Sequence, residues 1–263
     1  MGPMAVVNDR SFSIGRVIGR AFGAMSKNPV VILGLSLVLS GIPSGLFSAY
    51  FRQDTGQLFG SGFNLTIFLE LAAGLLVAAI LHGLVVGCVT RSSIAYSERE
   101  QASVGDCLSV ALSRWLPVFG AGILVTLGIC VGTLLLFVPG LMFLCMWAVI
   151  IPVIVAENSG VIAAFTRSAQ LTRGARWNIF GLVVIVWLIV WGIDLLGSLV
   201  SRLTLGMSYT NPAIATQTLP IILSIVITTL TTAISSCKAA ALFIELRNWK
   251  DGPQDSKLSE IFG

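Results

Sequence analysis

Glu70, His82, Glu157, Asp194 and Lys238 are ionisable residues that fall within or at the ends of strongly apolar stretches. A charge in hydrocarbon is costly unless it is paired or hydrated, so such residues mark ion paths, proton relays or ligand sites. Helix rise sets the depth of each, at about 1.5 Å per residue. Glu70 and Asp194 lie toward the outer side. His82, Glu157 and Lys238 lie toward the inner side, and Glu157 with Lys238 is the expected ion pair. Each residue also has a structural reading: Lys238 snorkelling to the inner interface, His82 as a hydrogen-bonded packing residue, Glu70 and Asp194 near the outer headgroups. The groups form no continuous relay, which argues against a proton-coupled pump.

Catalytic and metal-binding patterns are missing. There is no G-x-S-x-G, H-E-x-x-H, P-loop or dinucleotide fingerprint. A single histidine leaves little for general acid–base work. Cys88, Cys107, Cys130, Cys145 and Cys237 form no C-x-x-C pair and read as small apolar fillers. No catalytic residue, metal or cofactor is expected.

The elements that carry these residues follow from composition. Of 263 residues, 56% are hydrophobic and 11% are charged, against about 25% charged in a soluble domain. Mean hydropathy is +0.93. The expected fold is all-α: one membrane domain over residues 1–250 and a short cytoplasmic tail over 251–263. Six crossings are predicted at about 30–50, 66–89, 116–138, 141–156, 179–200 and 219–243. Pro139-Gly140 is read as a tight outer turn that makes the third and fourth helices antiparallel neighbours. Pro152 should kink the fourth. Three GxxxG pairs, Gly41/Gly45, Gly83/Gly87 and Gly128/Gly132, are read as intramolecular packing sites.

Charge orients the helices. Of 16 Lys and Arg residues, only Arg52 and Arg202 fall on one side of the predicted bundle. The bias places both termini in the cytoplasm. The positive charges are spread between apolar runs, which excludes nucleic acid and points to anionic headgroups. Arg10, Arg16, Arg20 and Lys27 precede a long apolar run, so no cleavable signal is expected. Val6 stands where myristoylation needs Ser or Thr.

The inside connections have helical periodicity. Ile14, Val17, Ile18, Ala21, Phe22 and Met25 recur within 12–27, opposite Arg16, Arg20 and Lys27. Val104, Cys107, Leu108, Ala111 and Trp115 repeat the pattern within 103–115, with Ser103 as N-cap. Val161, Phe165, Ser168 and Thr172 give a weaker version within 160–173, with Ser159 as its cap and Gly174 as its C′ residue. Two readings fit: interfacial helices under the headgroups, or amphipathic elbows packed on helix ends. Ser13-Ile14-Gly15 and Ser103-Val104-Gly105 lead, at equal spacing, to Ala21 and Ala111, and Ser159-Gly160 starts a looser copy. The chain therefore reads as three units, each an amphipathic helix followed by a transmembrane hairpin.

One segment carries a resemblance: Pro139-Gly140-Leu141, Trp147, Ile151-Pro152-Val153, Glu157-Asn158, Gly160, Ala164, Arg167-Ser168, Leu171-Thr172, Gly174 and Trp177. With Phe12-Ser13-Ile14-Gly15 and the ending Ala239 to Arg247, it resembles the membrane domain attached to some bacterial glycerophosphoryl diester phosphodiesterases, which also occurs as stand-alone membrane proteins. The resemblance implies a multi-pass fold in a bacterial cell (inner) membrane. It does not imply phosphodiesterase activity, because catalysis there belongs to a separate barrel and only Asn248 to Gly263 follow Arg247.

Three functions remain open. The first is a non-enzymatic membrane protein that engages lipids or a membrane partner, with Arg16, Arg20, Arg167, Arg173 and Arg176 facing phosphates and Glu157 holding one arginine. The second is a transporter or channel subunit with a polar site between the helices, motivated by Pro152 and by Glu70, His82, Asp194 and Lys238. The third, an intramembrane lipid enzyme, needs two titratable groups converging at one depth.

Overall fold

The computed structural model describes residues 12–51, 65–97, 103–135, 137–210 and 218–252. Arg10, Arg52, Arg99 and Lys257 of the charge count, and residues 253–263 of the expected tail, lie outside them. The described chain is all-α, with no strand among the described residues.

The helices are α1 (Ile14–Lys27); α2, which runs through Pro29–Ser36, a π turn at Leu37–Gly41 and Ile42–Phe51; and α3 (Leu65–Ser97). Next come α4 (Val104–Ser113), α5 (Trp115–Leu135), α6 (Phe137–Met146) and α7 (Ile150–Ala156). The last are α8 (Val161–Thr172), α9 (Arg176–Thr210) and α10 (Thr218–Asp251). Five stretches are long and apolar enough to cross a membrane: Pro29–Ser48, Leu76–Ala95, Trp115–Thr133, Arg176–Leu203 and Leu219–Asp251. The apolar stretch Gly140–Ala156 is shorter. α10 continues to Asp251, beyond the predicted boundary at 243, so Asp251 belongs to the bundle and not to a tail.

The order of elements repeats three times. Each unit is a short helix followed by two apolar segments, and the second of these in the middle unit is the broken pair α6–α7. The short helices begin at Ser13, Ser103 and Gly160, and the residue four places beyond each N-cap is fully buried: Val17, Cys107 and Ala164, all 0% exposed. The packing is cyclic. Each short helix lies on the last helix of the preceding unit: α4 on α3, α8 on α7, and α1 on α10. α3, α7 and α10 each touch the other two and form the centre. A core of Val153, Ile154, Leu171, Ile179, Leu182 and Phe243 joins α7, α8, α9 and α10.

Glycines set the close approaches. A Cβ on Gly41 would meet the Ile225 carbonyl of α10 at 3.1 Å. One on Gly132 would meet the Gly140 Cα at 3.1 Å, which brings α5 and α6 together. One on Gly83 would meet Val118 of α5 at 2.8 Å. All three GxxxG pairs thus contribute to packing within the chain.

Two readings at prolines are corrected. Pro139-Gly140 is not the turn between antiparallel helices, because α6 already begins at Phe137. A proline in the first helical turn loses nothing, since its N–H would have no partner there. The expected kink at Pro152 is a complete break: α6 stops at Met146 and α7 starts at Ile150. In a continuous helix the Pro152 ring would clash with the Ala148 carbonyl. The chain instead restarts two residues before Pro152, which sits in a first turn.

Candidate functional site

The break frees the Met146 carbonyl, because the Ile150 N–H donates to Trp147 instead, at 3.3 Å. α8 supplies the missing donor. Ser168 Oγ donates to the Met146 carbonyl at 2.8 Å, while Thr172 Oγ1, 3.4 Å from that carbonyl, donates to the Ser168 carbonyl at 2.9 Å; both side chains are fully buried. A buried carbonyl without a donor costs about 1–3 kcal/mol, so Pro152, which opens the break, and Ser168, which satisfies the freed carbonyl, act together. Trp147, in the break, stacks on Phe143 at 4.7 Å and meets Phe165 edge-on at 5.1 Å.

The turn after α7 is set by backbone conformation. Asn158 takes φ +53°, a left-handed conformation that asparagine tolerates at a helix end. Gly160, not Ser159, is the N-cap of α8, and Ser159 Oγ donates back to the Val153 carbonyl at 3.5 Å. Gly174, just past α8, takes φ +94°.

Three of the five arginines read as phosphate ligands are engaged by carboxylates. Arg16 Nε lies 2.7 Å and Arg20 Nη1 3.0 Å from the buried Glu245 of α10. Arg167 Nε lies 3.0 Å from Glu157, and Arg167 also pairs with Asp251. Glu157 therefore pairs with Arg167, and the expected Glu157–Lys238 contact is not made. Burial works against the charge on Arg167, but hydrogen bonds to Asp251 and Glu157 outweigh it and raise its pKa above the ordinary guanidinium value. Arg173 is exposed, and Arg176, in the first turn of α9, buries an Nε that has no hydrogen-bond partner.

His82 and Lys238 do come together. They line a cavity of about 670 Å³ between α3, α5, α7 and α10. Thr126 and Ser235 add hydroxyls, while Val86, Phe119 and Ile151 are among the apolar walls. Leu76, Ile123 and Leu127 border the cavity and are 46%, 38% and 56% exposed, so its mouth is apolar and opens sideways between α3 and α5. Pro152 and Trp147 also line it, so the break in α6–α7 helps to shape it.

Glu70 is elsewhere, in a second cavity of about 570 Å³ with Ser40, Ser44 and Thr228. Asp194 is exposed on α9. Among the described residues no group of three or more His, Cys, Asp or Glu could hold a metal. Cys88, Cys107, Cys145 and Cys237 are buried free thiols. For Cys107 on α4, burial raises the pKa, partly countered by Arg91. Glu245 and Asp251, the partners of three arginines, were missed from the sequence. Pairs as far apart as 16 and 245 leave no local signal.

These features define an all-helical protein with several helices of membrane-crossing length around a cavity with two basic side chains. Residues 12–246 match the profile of a family described as Domain of unknown function (DUF7847), and the chain belongs to that family. No curated protein and no solved structure matches it.

Proposed function

We propose that this is a six-span integral membrane protein, non-enzymatic, that holds a membrane lipid in the cavity between α3, α5, α7 and α10. The observation that carries the reading is an apolar-walled, laterally open space of about 670 Å³ with a lysine and a histidine inside it. That volume falls within the roughly 300–1,000 Å³ typical of ligand sites. Among the described residues its lining holds no carboxylate to polarise either basic group, which supports binding over catalysis.

The sixth crossing is α6–α7. The two helical pieces, of 10 and 7 residues, rise about 25 Å together at 1.5 Å per residue and the break between them adds a little, which approaches the hydrocarbon thickness of about 30 Å. The charge bias supports both termini on the cytoplasmic side of a bacterial cell membrane. α1, α4 and α8 then lie at the inner interface, where the exposed Phe22, Leu112 and Ile162 reach lipid. The likeness to the membrane domain of glycerophosphoryl diester phosphodiesterases is taken as a likeness of scaffold. A second reading, a solute path, draws on the same two basic groups at one depth.

Gly122 provides the test. It lines the cavity, and a Cβ built there meets nothing within 4 Å. Gly122→Phe should fill the space and leave the bundle intact. Native mass spectrometry of purified protein should find one lipid retained by the wild type and lost in Gly122→Phe. Equal retention by both would refute lipid binding here. Solute flux in proteoliposomes that Gly122→Phe blocks, without a retained lipid, would favour the second reading.

A further inference from the structure

Resting on that lipid-binding reading, we propose that the amphiphile in the cavity is anionic, its oxyanion held by the Lys238 ammonium with the His82 ring as a second donor.

Charge complementarity carries the assignment. Lys238 makes no ion pair among the described residues, and the acids nearest its end of α10 are taken: Glu245 by Arg16 and Arg20, Glu157 and Asp251 by Arg167. A lysine within a helical bundle in hydrocarbon requires a counter-charge or water. The cavity lining offers neither aspartate nor glutamate.

Snorkelling does not resolve the charge. Lys238 is seven residues, about 10 Å, from Glu245 along α10. Its Cα–Cβ bond tilts toward the N-terminal end of α10, away from the cytoplasmic end. The side chain instead lines the cavity that also holds His82.

The walls select the carrier of the oxyanion. Leu76, Ile123 and Leu127 make the mouth apolar, so the anion enters on a hydrocarbon chain from the inner leaflet, with the chain trailing into the bilayer. A phospholipid phosphate and a fatty-acid carboxylate share this chemistry. Inorganic phosphate lacks the chain and would have to cross the apolar mouth unaided.

The test uses full-length protein in detergent, offered phosphatidylglycerol, palmitate or diacylglycerol in turn, with bound molecules counted by native mass spectrometry. The wild type should retain phosphatidylglycerol or palmitate roughly tenfold or more over diacylglycerol, as a charged hydrogen bond implies. Which of the two anions is retained identifies the source. Lys238→Met should reduce retention to the diacylglycerol level, and Lys238→Arg should restore it. Retention of the anion by Lys238→Met equal to wild type, equal retention of diacylglycerol by the wild type, or displacement by inorganic phosphate alone would overturn the assignment. If Lys238→Met cannot be purified, the wild-type preference between anion and diacylglycerol decides. Loss in Gly122→Phe without loss in Lys238→Met leaves the cavity reading standing and removes only the charge assignment. No effect from either variant removes both.

Discussion

Arg20 and Arg167 each stand seven residues beyond the N-cap of their helix, Ser13 and Gly160, and each lies 3.0 Å from a glutamate of the core helix beneath it. The same clamp therefore occurs twice in a threefold arrangement: α1 on α10 through Glu245, α8 on α7 through Glu157. In the third copy, α4 on α3, Val110 stands at the equivalent place and no ion pair forms there. The clamps tie α1 and α8 to the bundle through arginines that keep part of their side chains exposed.

Removing Glu245 should cost more than removing either arginine. Glu245 is buried, and its loss strands two guanidiniums, whereas each arginine is about 40% exposed and leaves the other behind. Glu245→Ala should destabilise by about 1–3 kcal/mol. Arg20→Ala should cost no more than about 1 kcal/mol. Unfolding of purified protein by titrated denaturing detergent measures both.

The Met146 carbonyl gives a second expectation. Ser168→Val removes its side-chain donor at 2.8 Å and should cost about 1–3 kcal/mol. Thr172→Val should cost less, because the Thr172 hydroxyl donates at 2.9 Å to the Ser168 carbonyl of its own helix and leaves the Ser168–Met146 bond in place. The same unfolding assay ranks the three proteins.

Two glycines should respond with opposite signs. At Gly140 a Cβ would meet Thr133 backbone atoms at 2.9 Å, so Gly140→Ala forces α5 and α6 apart and should destabilise by about 1–3 kcal/mol. At Gly122 nothing lies within 4 Å, so Gly122→Ala should stabilise by about 0.5–1 kcal/mol through helix propensity.

Thiol chemistry reports on α4. Burial lifts the Cys107 pKa, so less thiolate is present at about pH 8 than in a free cysteine, and maleimide should react slowly. The rate should rise as pH increases toward the raised value. Ser109→Cys, on the exposed face of the same helix, should react quickly. Under the proposed topology it does so in inverted vesicles but not in intact cells.

The long apolar stretches were legible because hydropathy reports directly on burial in lipid. The unit repeat was legible from Ser13 and Ser103, because helix starts have local capping signals. Three things were not. Pro139-Gly140 has the composition of a turn, yet a proline fits a first helical turn equally well. Glu157 and Lys238 share a depth, but depth is one coordinate, and the direction each side chain faces around its helix axis decided the pairing. The meeting of His82 with Lys238 depends on how α3 and α10 rotate against each other, which no single helix encodes.

The most direct measurement is electron cryomicroscopy of the protein in a nanodisc of native lipids. The expected result is elongated density entering between α3 and α5, with its head within hydrogen-bonding distance of Lys238 Nζ. A cavity closed by α5 against α10, with no density beside Lys238, would contradict lipid binding at this site.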